Sequence, residues 1–504
     1  MKRVLFRIAL ILVAVVLLLM AWMGYNLRDR FDGYEVDVDI AAKEAGAFQM
    51  GFAKQSITPE VPDRWEDING NAKYEPEKGD TFEDLNGNGE FDAVWLAGFN
   101  QKRAANGVHD SLWARAMVID DGQTAMALVA IDAIGFGHDD VVRVRKRISE
   151  TAGLDYVTVI STHVHESPDL VGMWGESPYR SGIDPEYMEL VISQTARAVE
   201  QARSAQRPAY LRIGENLEGT LPMLADTRKP EVYDPALHLI QALDAEADTT
   251  LGTLICWANH PETLWSRNLM ITSDFPHFVR EGVEKGVFDG DSLVVPGLGG
   301  TSVYVNGSIG GLMTTDPRTS IEDPFADTSY LAPSFDKARA QGQQLALLGL
   351  ASLAQADTIQ AASLSLRAKT LDIPLVNPLF RLGAALGVLQ RGMSRWMHMR
   401  SEIAYWEFGS ISCLQVPGEI YPEIINGGVE APEGQDYALS PLEIPPLRPL
   451  MPGKHPLVIG LANDLIGYIV PKSQWDQEAP HTYGKENAPY GEINSLGPET
   501  APLL

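Results

Sequence analysis

The sequence predicts a large mixed α/β domain preceded by one N-terminal transmembrane helix. Two observations support this class: short apolar runs alternate with helical patterns along most of the chain, and a long apolar stretch follows a few basic residues at the start. A chain of 504 residues with 45% hydrophobic and 21% charged residues has enough apolar material for a large packed core. We expect one large domain over residues 49–504, with insertions.

The N-terminal stretch is long enough to cross a membrane. Residues 4–25 are apolar except for Arg7, and a hydrocarbon core of about 30 Å needs about 20 such residues. The stretch ends in Trp22 and Tyr25 rather than in small residues, so residues 1–25 are predicted to form an uncleaved signal anchor. The basic residues at its start predict a single-pass inner-membrane protein with its large folded domain on the periplasmic or extracellular side.

The remaining chain alternates between strand and helix patterns. Residues 26–48 are predicted to be a polar tether. After it come strand patterns in "AMALVAIDAI", "YVTVIST" and "TLGTLICWANHP", and helix patterns in "DDVVRVRKRISETAG", "EYMELVISQTARAVEQARSA" and "SFDKARAQGQQLALLGLASLAQ". This alternation is typical of layered α/β architectures.

Charge and cysteine content exclude several classes of protein. A net charge of -27 argues against a nucleic-acid partner and favours a neutral, cationic or lipid-like one. The two cysteines, Cys256 and Cys413, are too few for a disulfide framework or a cysteine zinc site. They form either one bridge or two free buried thiols. The oligomeric state does not follow from the sequence.

Residues 67–95 contain oxygen-bearing side chains at calcium-loop spacing. A glycine at the sixth place supplies the tight turn, and the residues spaced by two are Asp84, Asn86, Asn88, Glu90 and Asp92. The twelfth place holds Trp95 instead of a bidentate glutamate, so a calcium ion would need a further ligand from elsewhere. The alternative is a pair of Asn-Gly turns stabilised by their own side chains.

The segment "STHVHESPD" places two histidines directly after a strand pattern. Alternate side chains of an extended chain point to one face, so His163 and His165 are expected to face the same pocket. Such a pair is either part of a metal site or a pair of surface or hydrogen-bonded core residues.

Together with "GFAKQSITPE", "GVHDSLWARAMVID", "CWANHPETLWSRN", "CLQVPGEIYPE", "NDLIGYIVP" and "PYGEINSLGPET", this segment resembles the neutral, or non-lysosomal, ceramidase family over most of the chain. The resemblance implies a zinc ion held by four side chains, His163, His260, Glu419 and Tyr468. Such a site leaves a position for water, whose pKa zinc lowers to about 7, so that it can attack an amide carbonyl.

The same resemblance implies further roles in the active site. His165 faces the pocket and is predicted to donate to the developing oxyanion, and Tyr490 resembles the family's second active-site tyrosine, with Tyr483 as a competing choice. Arg228 in "LADTRKP" corresponds to a substrate-contacting arginine.

The sequence also departs from the family pattern. In "VYVNGSIGG" the place of the family's active-site serine holds Gly310, so either Ser308 substitutes for it as a catalytic residue or its role is lost. Glu166 is inserted after the second histidine, and an extra carboxylate there would favour a cationic or amino-bearing substrate. Longer family members add an immunoglobulin-like C-terminal domain, for which no room is expected here.

A segment near residues 375–400, "LVNPLFRLGAALGVLQRGMSRWMHMR", has an amphipathic pattern with spaced arginines. It is either a lid or membrane-facing helix that receives a lipid chain, or an ordinary packed helix.

The sequence thus predicts a membrane-anchored, zinc-dependent amidohydrolase that cleaves the N-acyl bond of ceramide or a related lipid-like substrate. Two alternatives stay open at this point. One is a hydrolase of another N-acyl amide or of an ester, and the other is a non-catalytic anchored binding protein with a structural zinc.

Overall fold

The computed structural model describes residues 2–439 and 445–504. Its α-helices are α1 (Lys2–Asn26), α2 (His138–Arg147), α3 (Pro185–Ser204), α4 (Phe275–Glu284), α5 (Phe335–Ser352), α6 (Pro378–Ala385), α7 (Pro422–Asn426), α8 (Tyr490–Ile493) and α9 (Thr500–Leu503).

The first twelve strands in the described ranges are β1 (Asp37–Ile40), β2 (Phe48–Ser56), β3 (Arg64–Glu66), β4 (Thr81–Glu83), β5 (Trp113–Asp120), β6 (Ala125–Ile131), β7 (Tyr156–Ser161), β8 (Arg207–Asn216), β9 (Ala225–Asp226), β10 (Leu237–Asp244), β11 (Thr250–Trp257) and β12 (Gly286–Asp289). The next twelve are β13 (Ser292–Pro296), β14 (Thr301–Asn306), β15 (Met313–Thr314), β16 (Ile321–Glu322), β17 (Ser329–Tyr330), β18 (Asp357–Ile359), β19 (Leu364–Pro374), β20 (His398–Phe408), β21 (Ile411–Gln415), β22 (Glu419–Ile420), β23 (His455–Ile459) and β24 (Tyr468–Ile469).

A large mixed sheet organises the domain. Within the described residues its strands run in the order β14-β11-β10-β8-β2-β5-β6-β7, with β18 also paired to β8. Strand β6 shows why these segments are apolar throughout: Met126 and Leu128 face one core, whereas Ala127 and Val129 face another. A strand buried on both faces has no need of the polar alternation seen at a solvated sheet.

The two faces of this sheet are covered by different layers. Apolar residues of α2 and α3 pack on one end of the outer face, and those of α4 and α5 pack on the other. The inner face packs on a second sheet of order β1-β19-β20-β21-β23. Phe48 of the large sheet meets Phe408 of the second edge-to-face, with ring centroids 4.8 Å apart. The strands and helices quoted from the sequence are confirmed, and so is the mixed α/β class.

Segments that are distant in the sequence meet beyond the strand ends. The pairings run β7 and β11 in opposite directions, so strand direction alone does not bring their ends together. The segments that follow the two strands nevertheless meet, because the amide of His165 donates to the carbonyl of Pro261 (3.2 Å). Glu419 of β22 pairs in register with Tyr468 of β24. These four chain segments supply the site described below.

The N-terminal segment differs from the prediction in one respect. Among the described helices, α1 is long and apolar enough to cross a membrane, and none of its residues is buried. Residues 26–48, predicted as a tether, are folded onto the domain instead: β1 pairs with β19, and Asp29 accepts two hydrogen bonds from Arg400, at 3.0 and 2.7 Å. The sequence pattern concealed this because the segment is polar and its strand lies at a sheet edge.

The sequence left the state of the cysteines open. In the structure Cys256 and Cys413 are free thiols, and both are buried in the core between the two sheets.

Candidate functional site

The backbone after β7 presents His163 to the edge of the large sheet. The amide of His163 donates to the carbonyl of Ala133 (2.9 Å), and its Nδ1 lies 2.6 Å from the carbonyl oxygen of Ile134. Its φ of +65° is rare for a residue with a side chain, and the surrounding hydrogen bonds hold it there. Because Nδ1 faces a carbonyl oxygen, it carries a proton, and Nε2 is the nitrogen that faces the site.

His260 follows β11 and is held in the same way. Its amide donates to the carbonyl of Met313 (3.1 Å), and its Nδ1 lies 2.7 Å from the same oxygen. Its Nε2 is 3.0 Å from Oε2 of Glu419. Both histidines therefore present Nε2 to one point.

Glu419 stands at that point. Its Oε2 is also 3.5 Å from Nε2 of His163. Burial alone would raise the pKa of Glu419, but the two histidines lower it well below its ordinary value. Tyr468, its partner in the β22–β24 pair, hydrogen-bonds to the carboxylate, and burial followed by the Glu419 charge raises the pKa of the phenol well above its ordinary value.

This donor set fits a zinc ion. Two imidazole nitrogens, a carboxylate oxygen and a phenol converge, and carbonyl oxygens orient both imidazoles, as in protein zinc sites. In the described part of the chain, ligand atoms of His163, His165 and His260 also lie within 4.8 Å of one another. The structure thus brings together the four residues predicted as ligands, with His165 beside them.

His165 has a carboxylate partner that the sequence analysis missed. Its Nδ1 lies 3.3 Å from Oε2 of Glu262 without forming an aligned hydrogen bond, and Glu262 in turn accepts a hydrogen bond from Thr314 (2.5 Å). Burial lowers the pKa of His165 well below its ordinary value, and the neighbouring imidazoles lower it further. The position of Glu262, two residues after His260 in "NHPE", was the signal available in the sequence.

A cavity of about 330 Å³ opens onto this group. Its polar end holds His163, His165, Glu419 and Tyr468, and its walls are largely apolar, with Val171, Met173, Trp174, Phe380, Leu389, Met399 and Leu496. Cavities of this size and lining are typical of small-molecule and lipid-chain sites.

Of the two competing tyrosines, Tyr490 lines this cavity. Its ring meets that of Tyr468 edge-to-face at 5.9 Å. Tyr490 is 54% exposed, and partial burial raises the pKa of its phenol to about 12, with the Glu419 and Glu262 charges adding to the effect. The hydroxyl of Tyr483 instead contacts Glu430 at 2.8 Å, outside the cavity lining.

Arg228 and Ser308 do not reach the cavity, which corrects their predicted placement. The buried guanidinium of Arg228 donates to Glu492 (2.7 Å) and to the carbonyl of Gln474 (3.1 Å), because that buried carboxylate needs a cation. The hydroxyl of Ser308 is fully buried and donates to Asp234 at 2.5 Å.

Glu166 is also fully buried and does not line the cavity. Its pKa is raised well above the ordinary value, first by burial and then by the charge of Asp274. The proposal that Glu166 favours a cationic substrate is therefore not supported by its position.

Gly310 occupies a place where no larger residue fits. A Cβ atom there would lie 2.5 Å from the amide nitrogen of Tyr421 and 2.6 Å from the carbonyl carbon of Ile420. Both atoms belong to the backbone directly after Glu419. A glycine at this position is therefore a packing requirement of the turn that backs the Glu419 strand.

The predicted calcium loop is held by its own hydrogen bonds. The Asp84 carboxylate accepts from the amides of Gly87 (2.6 Å) and Gly89 (2.8 Å), and the side-chain amides of Asn86 and Asn88 donate to Asp92 (2.7 and 2.6 Å). To hold an ion, these two amides would have to turn their oxygens inward. Calcium binding here, with Glu90 as a further oxygen donor, remains a prediction.

Comparison with known proteins establishes the fold. No family model matches the chain, and no curated protein matches it in sequence. The crystal structure of neutral ceramidase from Pseudomonas aeruginosa superposes with a TM-score of 0.59 at 15% identity, covering 91% of this chain and 72% of that one. A structure of ceramidase complexed with C2 gives a TM-score of 0.61 at 15% identity, covering 90% and 73%. The neutral-ceramidase fold predicted from the sequence is confirmed.

Restoring a serine at Gly310 is expected to damage the site. Gly310→Ser should lower the free energy of unfolding by about 1–3 kcal/mol, because the new Cβ displaces the backbone after Glu419. Gly46→Ser, where no atom lies within 4 Å of the added Cβ, is the control and should be neutral. Thermal or denaturant unfolding measures both, and a Gly310→Ser protein as stable as the parent would contradict the packing explanation.

If the 84–92 loop binds calcium, excess chelator should lower the melting temperature by a few degrees, because an ion bound to the folded state stabilises it. Asp84→Asn should remove this chelator effect, while Asp291→Asn, in the turn between β12 and β13, should retain it. An unchanged melting curve of the parent protein in chelator would exclude the ion.

Proposed function

We propose that this protein is a zinc-dependent amidohydrolase that cleaves the N-acyl bond of ceramide or a related lipid-like amide. One observation carries the proposal: His163 and Glu419 lie at the polar end of an apolar-walled cavity, with Nε2 of His260 3.0 Å from the Glu419 carboxylate, in a chain with the ceramidase fold. Side chains that can hold a zinc ion and walls that can accept a lipid chain therefore belong to the same site.

Four side chains would hold the zinc ion, namely His163, His260, Glu419 and Tyr468. When bound, zinc would lower the pKa of a water molecule to about 7 and polarise the substrate carbonyl. The chain contributes the orientation of these ligands. The carbonyls of Ile134 and Met313 fix both imidazole rings, so that little reorganisation is needed when an ion enters.

His165 is proposed to move the proton in the reaction. The ring is neutral at pH 7, since burial lowers its pKa, and a proton on Nδ1 facing Glu262 leaves the Nε2 lone pair free. It can then accept the proton of the attacking water and return it to the leaving amine. Glu262 is the carboxylate that lies nearest to Nδ1, at 3.3 Å, and its charge would favour the imidazolium formed during the transfer. This assignment changes the predicted role of His165 from an oxyanion donor to a proton carrier.

Tyr490 is proposed to stabilise the negative charge on the carbonyl oxygen. Its phenol stays protonated at every physiological pH because its pKa is raised to about 12. It lines the cavity beside Glu419 and Tyr468, where a hydroxyl donor can reach a substrate oxygen.

The substrate and the location of the protein follow from the same features. The apolar cavity walls suit an acyl or sphingoid chain rather than a polar peptide. We also propose that α1 anchors the protein in the inner membrane with the catalytic domain outside the cytoplasm, as its length, composition and basic start indicate.

A second candidate, the hydrolysis of another N-acyl amide or of an ester, is favoured by one observation. Arg228, which the resemblance implied as a substrate-binding residue, and Ser308, which was one of two alternatives for the family's serine, are buried away from the cavity with carboxylate partners of their own. Head-group recognition therefore falls to other residues. Turnover of ceramide compared with acyl amides and esters of the same chain length would separate the two.

Removing a ligand should remove both metal and activity. His163→Ala and Glu419→Ala should abolish zinc binding and reduce fatty-acid release from ceramide by roughly a thousandfold or more, because the nucleophile is lost. His165→Ala should retain zinc but lose activity, and His277→Ala on α4 serves as a control for both. Metal analysis and product release give the two readouts. Full activity of the parent protein after complete zinc removal would exclude the proposal.

The two tyrosines offer a matched comparison. Tyr490→Phe should lower kcat by roughly 100-fold, because the oxyanion donor is lost, with zinc content unchanged. Tyr483→Phe should have no effect, since that hydroxyl contacts only Glu430 among the contacts described here. Because Tyr490 loses its proton only near its raised pKa of about 12, its contribution should be present from neutral pH upward and decline only above about pH 11. Equal kcat in the two variants would exclude Tyr490 as the donor.

A further inference from the structure

The end of α1 is fixed to the segment that forms one wall of the cavity. We call residues 376–396 the mouth segment; it contains α6, and Phe380, Leu389 and Arg391 from it line the cavity. The side chain of Asn26, the last residue of α1, donates to the carbonyl of Ala385 at 2.9 Å.

Further contacts follow directly after α1. The amide of Met393 donates to the carbonyl of Leu27 (3.2 Å), and the guanidinium of Arg30 donates to the carbonyl of Gln390. Gly392 has room only for a hydrogen, because a Cβ there would lie 2.8 Å from the carbonyl oxygen of Arg28. The anchor and the cavity wall are thus joined by one backbone and two side-chain hydrogen bonds and by a close backbone approach at Gly392, all within a few residues of the end of α1.

The outer side of the mouth segment is apolar and exposed. Val376, Leu379, Leu382 and Trp396 are 45%, 62%, 51% and 79% exposed. Several exposed large apolar side chains within one short segment are typical of a contact surface, and a tryptophan with flanking arginines is typical of a membrane interface. Arg381 and Arg395 supply the flanking charges, and both are exposed.

The position of the mouth segment next to the end of α1 indicates that its exposed apolar face contacts a lipid bilayer. α1 is 25 residues long, about 37 Å at 1.5 Å per residue, so a spanning α1 ends within the interfacial layer. The mouth segment contacts its last residue and must lie at the same depth. A net charge of -27 gives the domain no general attraction to anionic lipid, so apolar insertion has to supply the contact.

We propose that the exposed face of the mouth segment inserts into the outer surface of the bilayer that α1 spans, so that a lipid substrate passes from the bilayer into the cavity without crossing water. This inference rests on the proposed function for the identity of the substrate. The membrane contact itself rests on α1 and the exposed residues alone.

The first test reads membrane contact without using activity. The full-length protein is reconstituted in phospholipid vesicles with a nitroxide on Leu382→Cys, and a matched sample carries it on Leu293→Cys, 53% exposed on β13. Both native thiols are buried, so the label reacts at the introduced cysteine. The label at 382 should be relaxed more by dissolved oxygen than by a water-soluble nickel complex, with the reverse at 293. A label at 382 that is accessible to nickel, or shielded from both by a protein partner, overturns the proposal.

The second test separates entry of the substrate from the bilayer from cleavage of the amide bond in the site. Leu379→Glu/Leu382→Glu should lower the hydrolysis of long-chain ceramide in vesicles by roughly tenfold, and leave a short-acyl analogue dissolved in water within about twofold of the parent. Leu293→Glu/Leu331→Glu, which changes two leucines of similar exposure elsewhere, should alter neither rate. An unchanged rate of ceramide hydrolysis in the Leu379→Glu/Leu382→Glu variant, or an equal decrease in rate on both substrates, would overturn the proposed entry from the bilayer. If the parent protein cleaves neither amide, the proposed function fails, and the nitroxide result still decides the membrane contact.

Discussion

The Glu419 carboxylate is the group on which the rest of the site depends. It is buried, and a buried anion is costly unless cations or donors surround it. Here the Nε2 atoms of His163 and His260 and the phenol of Tyr468 provide that surrounding. The carbonyls behind the two imidazoles keep the rings from turning away from the carboxylate.

Bringing these groups together requires backbone contacts that larger side chains would block. Gly310 supports the backbone after Glu419 from one side, and Gly98 lies against His165, where a Cβ would come within 2.6 Å of the ring. The short parallel pair of β22 and β24 then places Tyr468 opposite Glu419. The chain segments that carry His165, Glu419 and Tyr468 are thus held in contact by strand pairing and by the close backbone approach that glycine allows.

The sequence predicted the parts of this molecule that depend on local pattern. Strands such as β6 are apolar on both faces, and α3 begins with a capping Asp184, so their type and position could be read directly. Glu262 was missed because a single glutamate carries no periodic signal. Arg228 was misplaced because its partner, Glu492, lies 264 residues away, and only the folded chain shows that this carboxylate takes up the charge. Pairings over such distances have no signature in one sequence.

Residues 26–48 show most clearly what the folded structure adds. As a flexible linker they would span roughly 26 Å on average and let the catalytic domain tumble above the membrane. With β1 paired to β19 and Asp29 bound to Arg400, the domain has one orientation relative to the end of α1. Orientation matters for a lipid-like substrate, because a cavity that opens away from the bilayer would require the lipid to cross water, at about 0.8 kcal/mol for each exposed methylene group. If the mouth segment contacts the bilayer as proposed, a fixed N-terminal segment would remove that barrier without any change in the chemistry of the site.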